Sequence, residues 1–264
     1  MSSKITQDKI KAVIFDLDDT LISEYQFIVS GYRYMSHELS ARLKRSPEEI
    51  EERLWELSRE TYTHAFNRLF ESYDEPYTDE ELRSMILSYR AHPADISFYP
   101  DVKDTLTALK DMGILTGIIS DGDPDRQRNK IRHAVDILDM QLGLHNSPDY
   151  DPDTRASYWF DEIILNDEFG GAAFRKPDPK GFSEMASRLH TDPSAMIYVG
   201  DNPSKDFHIS SILPYRTARI IRENGIYTER EYLDGIKETF RISTLTEIPR
   251  IIDGTFDKDR VISS

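Results

Sequence analysis

The chain of 264 residues contains no cysteine. This absence excludes disulfides, metal sites with thiolate ligands and cysteine nucleophiles. The sequence also has no run of about 20 apolar residues, the length that a membrane-spanning helix requires. Its first ten residues are polar and lack the apolar centre of a signal peptide. We therefore expect a soluble, cytoplasmic protein with no membrane partner.

Basic residues are also scarce, with 33 Lys and Arg against 48 Asp and Glu, a formal net charge of −15. Nucleic-acid partners are disfavoured, because binding a phosphate backbone needs basic surface. No glycine-rich nucleotide-binding motif is present either. If the substrate is anionic, a bound divalent cation is one way to offset the negative field locally.

An acidic cluster follows the first apolar run of the sequence. Ala12–Phe15 is predicted to form a buried central strand, and three carboxylates follow it at Asp16, Asp18 and Asp19. In an open α/β sheet the carboxyl ends of the strands form the ligand crevice. A turn after Asp16 could direct the carboxylates of Asp16 and Asp18 to one cation or reacting atom. The alternative is a polar strand end that only begins a turn.

Residues 22–95 are predicted to form an all-helical cap domain inserted after the first strand. Ser46 and Pro47 are typical of the start of a helix, and Thr78 with Glu81 forms a capping box for another. The remaining residues, 1–21 and 96–264, are assigned to one catalytic core. The position of the insert favours a lid over the acidic cluster, and the alternative is a subdomain that serves stability alone.

The core is predicted to be α/β, with a doubly wound, mostly parallel, Rossmann-like sheet. From Tyr99 onward, apolar strands alternate with helices, which implies a parallel sheet with helices on both faces. Polar residues stand at strand ends or helix starts in four places: Asp16/Asp18, Ser120, Lys176 and Asp201/Asp206. Because parallel strands end at one edge, we expect these side chains to converge.

This set of side chains has a definite chemical interpretation. Carboxylate oxygens of Asp16 and Asp201 can hold Mg²⁺, a hard cation that prefers oxygen ligands. A carboxylate can also attack phosphorus and form an aspartyl phosphate. Lys176 and the cation would offset the charge on the phosphoryl oxygens.

The four motifs resemble those of the haloacid dehalogenase superfamily. Residues 15–21, Phe-Asp-Leu-Asp-Asp-Thr-Leu, resemble its first motif, and Ser120 at the end of Gly-Ile-Ile-Ser resembles the second. Lys176-Pro177 resembles the third motif, and residues 200–206, Gly-Asp-Asn-Pro-Ser-Lys-Asp, resemble the fourth. The resemblance covers residues 11–21 and 96–222; the helical insert fits by position and helicity alone.

The resemblance implies catalytic roles for four residues. Asp16 would be the nucleophile. Asp18 would act as the general acid that protonates the leaving oxygen and then as the base that activates water. Ser120 and Lys176 would bind the transferred phosphoryl group.

The resemblance also implies a Mg²⁺ site formed by Asp16, Asp201 and the backbone carbonyl of Asp18. Asp206 would not bind the metal directly but would orient a metal-bound water or Lys176. Asp121 is assigned with Ser120 and Lys176 to the substrate-binding set. The acids after Ser120 could instead serve the next helix, with Asp125 as its N-cap.

These assignments predict a Mg²⁺-dependent hydrolase that removes phosphate from a small phosphorylated metabolite, of the phosphosugar or nucleotide class, through an aspartyl phosphate. Asp18 favours phosphate esters over carbon–halogen bonds, because the dehalogenases of the superfamily generally lack an acid at this position. Two alternatives remain: a phosphomutase with the same residues, and a binding or regulatory protein without catalysis.

Overall fold

The computed structural model describes residues 9–152, 154–223 and 225–257. The chain divides into two compact units. The larger unit takes the chain up to Glu24 and again from Ser97, and the smaller unit comprises Tyr25–Ile96. Within the described ranges, no helix combines the length and the apolar character needed to cross a membrane.

A six-stranded parallel sheet forms the centre of the larger unit. Its strands are β1 (Ala12–Phe15), β2 (Leu115–Ser120), β3 (Glu162–Leu165), β4 (Met196–Gly200), β5 (Arg216–Ile220) and β6 (Phe240–Ile242). They lie side by side in the order β3-β2-β1-β4-β5-β6, and every neighbouring pair is parallel. The α/β fold class predicted from the sequence is therefore confirmed.

Strand β1 lies at the centre of the sheet, and all four of its residues are completely buried. Such a strand must be apolar on both faces, as its sequence Ala-Val-Ile-Phe is. Phe15 lies beside Ile118 of β2 and Val199 of β4. The residues just beyond these three positions therefore reach the same edge of the sheet.

Four helices account for most of the smaller unit: α1 (Glu24–Leu43), α2 (Pro47–Ser58), α3 (Ala65–Ser72) and α4 (Asp79–Ala91). Ser46 caps α2 as predicted, and Thr78 and Glu81 form the predicted capping box of α4. Helix α2 ends at Ser58, and the chain turns before α3 begins at Ala65. The backbone N–H of Thr63 donates to Oγ1 of Thr61, a local bond that competes with helical pairing.

The helices of the larger unit are α5 (Pro100–Asp111), α6 (Pro124–Gln141), α7 (Ala156–Trp159), α8 (Lys180–Arg188) and α9 (Ile248–Asp253). Phe182 and Met185 of α8 pack in one core cluster with Ile14 and Tyr198 of the sheet. The intervening residue Val13 points to the opposite face, because side chains alternate along a strand.

Helix α6 begins at Pro124, and its N-cap is Asp123, whose Oδ1 accepts from the backbone N–H of Arg126 at 3.1 Å. The expectation that Asp125 caps this helix is wrong, because proline favours the first helical position and so sets the start. Asp125 lies in the first turn instead, where its negative charge interacts favourably with the helix dipole.

The chain after β5 returns to the sheet and adds β6 at its edge. Arg222 anchors the beginning of this return. Its guanidinium donates to both carboxylate oxygens of Asp101 at 2.8 and 3.1 Å, and to the carbonyl oxygen of Thr20 at 2.6 Å. The segment between β5 and β6 is thereby held beside the first motif.

Candidate active site

The strand ends bring three of the four predicted motifs together. Asp16 follows β1, Ser120 is the last residue of β2 and Asp201 follows β4. The backbone N–H of Asp16 donates to the carbonyl oxygen of Val199 at 2.8 Å, which extends the pairing of β1 and β4 to the edge. All three side chains are almost completely buried.

Lys176 joins Asp16 from the loop that follows β3. Its Nζ lies 2.7 Å from Oδ1 of Asp16 and 3.0 Å from Oδ1 of Asp206, and it also donates to the Tyr198 hydroxyl at 2.7 Å. Burial favours the neutral amine, but the two carboxylates outweigh it and raise the pKa of Lys176 above its ordinary value. Lys176 therefore carries a positive charge beside Asp16.

Three acids are close enough to share a cation. Oxygens of Asp16, Asp201 and Asp206 lie within 4.8 Å of one another. Oδ2 of Asp16 and Oδ2 of Asp201 are buried, and neither has a hydrogen-bond partner among the described residues. Burial raises the pKa of Asp16 to about 6, and burial and the neighbouring acids raise that of Asp201. This donor set fits a divalent cation, which would satisfy both oxygens.

The Asp206 carboxylate is already occupied by protein donors. Its Oδ2 accepts from the backbone N–H of Asn202 at 2.9 Å, and its Oδ1 faces Lys176 and the Tyr198 hydroxyl. Gly200 makes room for it, since a Cβ there would stand 2.5 Å from Oδ2. Both oxygens of Asp206 are thus bound by protein groups, one of which is Lys176.

Asp18 is held by two residues of α6. Nζ of Lys130 lies 2.5 Å from Oδ1 of Asp18, and Nε2 of Gln127 donates to Oδ2 at 2.9 Å. Burial alone would raise the pKa of Asp18, but the positive charges of Lys130 and Arg126 hold it below its ordinary value. Gln127 also donates to Oγ of Ser120 at 2.7 Å, so one amide connects Asp18 with Ser120.

The Asp121 carboxylate binds protein groups on both of its oxygens. Oδ1 accepts from the Asn166 side chain at 2.8 Å and from the backbone N–H of Lys176 at 3.1 Å. Oδ2 pairs with Lys205 at 3.2 Å. Lys205 in turn lies 3.6 Å from Oδ2 of Asp16.

Four residues of the site were not predicted from the sequence: Lys130, Gln127, Lys205 and Tyr198. Lys205 lies inside the fourth motif, so its position between the predicted site residues Asp201 and Asp206 was a signal that it belongs to the site. Gln127 and Lys130 are three residues apart and lie on the buried side of α6 with Ile131 and Ala134. That spacing was visible in the sequence, although lysine at such a position usually reaches solvent.

A cavity of about 320 Å³ opens over these groups, and every residue that lines it belongs to the larger unit. The lining residues include Asp16, Asp18, Lys176 and Asp201. This volume is at the low end of the range for small-molecule sites. The site therefore has the size for a small ligand.

The family model described as haloacid dehalogenase-like hydrolase matches residues 10–207. The chain belongs to this family. The match includes all four motifs of this haloacid dehalogenase-like hydrolase and ends before β5. The prediction of the family from its motifs is thus confirmed.

Among the relatives of the chain are phosphatases with different substrates in their names. A glyceraldehyde 3-phosphate phosphatase of Methanopyrus kandleri is 28% identical over 231 residues, which cover 84% of this chain and 88% of the relative. A pyrophosphatase of Bacillus velezensis is also 28% identical, over 75% of this chain and 77% of the relative. These names support the predicted class of enzyme, a phosphatase.

A crystal structure of a phosphatase of the same family from Thermococcus onnurineus is similar over 93% of this chain and 99% of that one. The TM-score is 0.56 and the sequence identity is 27%. The similarity extends over nearly the whole of both chains.

Proposed function

We propose that this protein is a Mg²⁺-dependent phosphatase that cleaves a small phosphorylated metabolite through an aspartyl phosphate on Asp16. The observation that carries the proposal is the pair of buried oxygens, Oδ2 of Asp16 and Oδ2 of Asp201, that lack described hydrogen-bond partners beside a protonated lysine. Unsatisfied buried carboxylate oxygens are costly unless a ligand completes the site.

In the first step a carboxylate oxygen of Asp16 attacks phosphorus, and the bond from phosphorus to the substrate oxygen breaks. Lys176, next to Asp16, balances negative charge on the phosphoryl oxygens, and Ser120 donates to one of them. Asp18 gives a proton to the leaving oxygen. A bound dianionic phosphoryl group raises the pKa of Asp18, because it disfavours a second negative charge nearby.

In the second step a water molecule attacks the aspartyl phosphate and releases inorganic phosphate, restoring the Asp16 carboxylate. Asp18, left ionised by the first proton transfer, takes the proton of that water. Lys130 and Gln127 keep the Asp18 carboxylate in one orientation for both steps.

The carboxylates of Asp16 and Asp201, with the backbone carbonyl of Asp18, would hold Mg²⁺. The ion supplies positive charge that draws the phosphoryl oxygens towards Asp16. Asp206 would act through Lys176. We propose that Asp121 positions Lys176 and Lys205, since both oxygens of the Asp121 carboxylate already bind protein donors. The smaller unit is proposed to be the cap that selects substrates.

A phosphate-release screen over small phosphorylated metabolites, with Mg²⁺ and with EDTA, tests this function. We expect release that requires Mg²⁺, that falls below detection in Asp16→Asn, and that persists in Asp125→Asn. Asp125 is a matched control because its side chain is 97% exposed. Release that is insensitive to EDTA, or undiminished in Asp16→Asn, would contradict the proposal.

A further inference from the structure

The cavity above the strand ends has five basic residues in its lining: Arg126, Arg175, Lys176, Lys205 and Arg230. Three of them are engaged by acids. Lys176 and Lys205 pair with Asp16, and Nε and Nη2 of Arg175 each donate to Asp167 at 2.7 Å. Arg126 and Arg230 form no direct ion pair with any acid in the described part of the chain.

Arg126 crosses the backbone that follows Ser120. A Cβ at Gly122 would stand 2.8 Å from Nη2 of Arg126, so the guanidinium lies against this glycine. The Nε of Arg126 is buried and has no hydrogen-bond partner among the described residues. A buried donor in this state is costly, and an anionic ligand in the cavity would satisfy the guanidinium.

Arg230 comes from the segment between β5 and β6, beyond the residues that the family model matches. Its guanidinium lies 5.7 Å from the centre of the Tyr227 ring, and the Tyr227 hydroxyl donates to Glu24 at 3.3 Å. The backbone N–H of Ile226 donates to Oδ2 of Asp19 at 2.8 Å. These two bonds hold the segment against the first motif, so that Arg230 lines the cavity.

We infer that Arg126 and Arg230 bind a second anionic group of the substrate, beside the phosphate ester that is cleaved. The inference rests on the proposed function and names the class of substrate: small phosphate monoesters that also carry a carboxylate or a second phosphate. Guanidinium groups present forked donors that match either anion. In a protein with a net charge of −15, two arginines that lack a direct ion pair supply positive charge in one small cavity, as a multiply charged ligand needs.

The test is a binding measurement on Asp16→Asn with Mg²⁺, because this variant binds ligands without turning them over. Titration calorimetry compares 3-phosphoglycerate, which adds a carboxylate, and 1,3-propanediol bisphosphate, which adds a phosphate, with glycerol 3-phosphate, which adds neither. We expect at least one of the two doubly anionic ligands to bind about tenfold or more tightly than glycerol 3-phosphate, the gain expected from charge-assisted hydrogen bonds.

Arg126→Gln and Arg230→Gln, each made in Asp16→Asn, are expected to lower that preference by about tenfold, and Arg230→Lys to keep part of it. Arg128→Gln is the matched control, since Arg128 is on the same helix but is 56% exposed and pairs with Glu168. A second measurement needs no arginine variant: the preference should fall as ionic strength rises.

Equal binding of all three ligands, or a preference that survives both glutamine substitutions, would overturn the inference. A failure of the proposed function would be seen in a different measurement, the release of phosphate by the wild-type protein. If the wild-type protein releases phosphate from none of the esters, the phosphatase proposal fails, while the calorimetric preference still decides whether the anion site exists.

Discussion

Replacing Lys130 with methionine tests how the site holds Asp18. Lys130 is completely buried, and its ammonium group lies 2.5 Å from a carboxylate whose side chain is 16% exposed. Methionine has a similar length and is apolar, so it fills the space of the lysine stem without its charge. The substitution leaves Asp18 as a buried carboxylate that has lost its closest positive charge.

Breaking a buried ion pair by removing one partner costs about 3–5 kcal/mol. Asp18 keeps the hydrogen bond from Gln127 at 2.9 Å and the positive charge of Arg126 nearby. We therefore expect the low end of that range, a loss of about 3 kcal/mol in the free energy of unfolding. In the double variant with Asp18→Asn neither charge of this pair remains, so about 2 kcal/mol should return.

Urea unfolding followed by tryptophan fluorescence measures these differences. The chain has two tryptophans, Trp55 in the smaller unit and Trp159 in the larger one. In a Trp55→Phe background the signal reports the larger unit alone. Arg128→Met, at an exposed position of the same helix, should change stability by no more than about 0.5 kcal/mol. If the effects of the Lys130 and Asp18 substitutions are additive within about 0.5 kcal/mol, the two residues are not coupled and Lys130 does not stabilise the Asp18 carboxylate.

The same substitution has a kinetic consequence that a loss of stability alone would not produce. If Lys130 orients Asp18 as the general acid, kcat/KM should fall at least about tenfold more for alkyl phosphates than for p-nitrophenyl phosphate, whose leaving oxygen needs little protonation. Lys130→Arg should restore part of the difference, because it keeps the charge. An equal loss for both kinds of substrate would show that Lys130 does not act through the proton transfer.

Three further predictions concern other parts of the structure. Gly200→Ala should lower the rate of phosphate release about 10- to 100-fold, since its Cβ would displace the Asp206 carboxylate; a fully active variant would contradict the position given to Asp206. Arg222→Met should lower the free energy of unfolding by about 3 kcal/mol in the same urea assay, because it leaves the partly buried Asp101 unpaired. An unchanged midpoint would mean that this pair does not anchor the chain after β5. Thr78→Ala should cost the smaller unit about 1 kcal/mol by removing a helix cap, as followed by Trp55 fluorescence in Trp159→Phe; no shift would show that the capping box is not stabilising.

The parallel sheet and the meeting of its motifs could be predicted because both depend on short-range patterns. Ala12–Phe15 is a four-residue apolar run, completely buried, and a strand of that kind lies in the middle of a parallel sheet. Once strands are parallel, their carboxyl ends share one edge of the sheet. Asp16, Ser120 and Asp201 also approach one another because β2 and β4 flank β1, a strand order that the sequence patterns did not predict.

The two residues that bind the Asp18 carboxylate, Gln127 and Lys130, could not be predicted in the same way. Gln127 and Lys130 alternate with charged residues such as Arg128, and a polar residue in an amphipathic helix is ordinarily assigned to the exposed side. What buries Lys130 is its partner Asp18, 112 positions away in the sequence. The prediction of the N-cap of α6 was wrong for a local reason. Asp123 and Asp125 are both acids next to one proline, and either can accept a backbone hydrogen bond.

The four motifs cannot by themselves determine which phosphate ester is cleaved. The relatives named for glyceraldehyde 3-phosphate and for pyrophosphate are each 28% identical to this chain, so the percentage of identity does not distinguish the two substrates. The two compounds differ in charge: beyond the phosphate that is removed, the first carries an aldehyde and the second another phosphate. The choice must therefore depend on residues that touch the remainder of the substrate. Arg230, outside the matched range, and Arg126, between the second and third motifs, both line the cavity, and by our inference they bind the group that differs in charge.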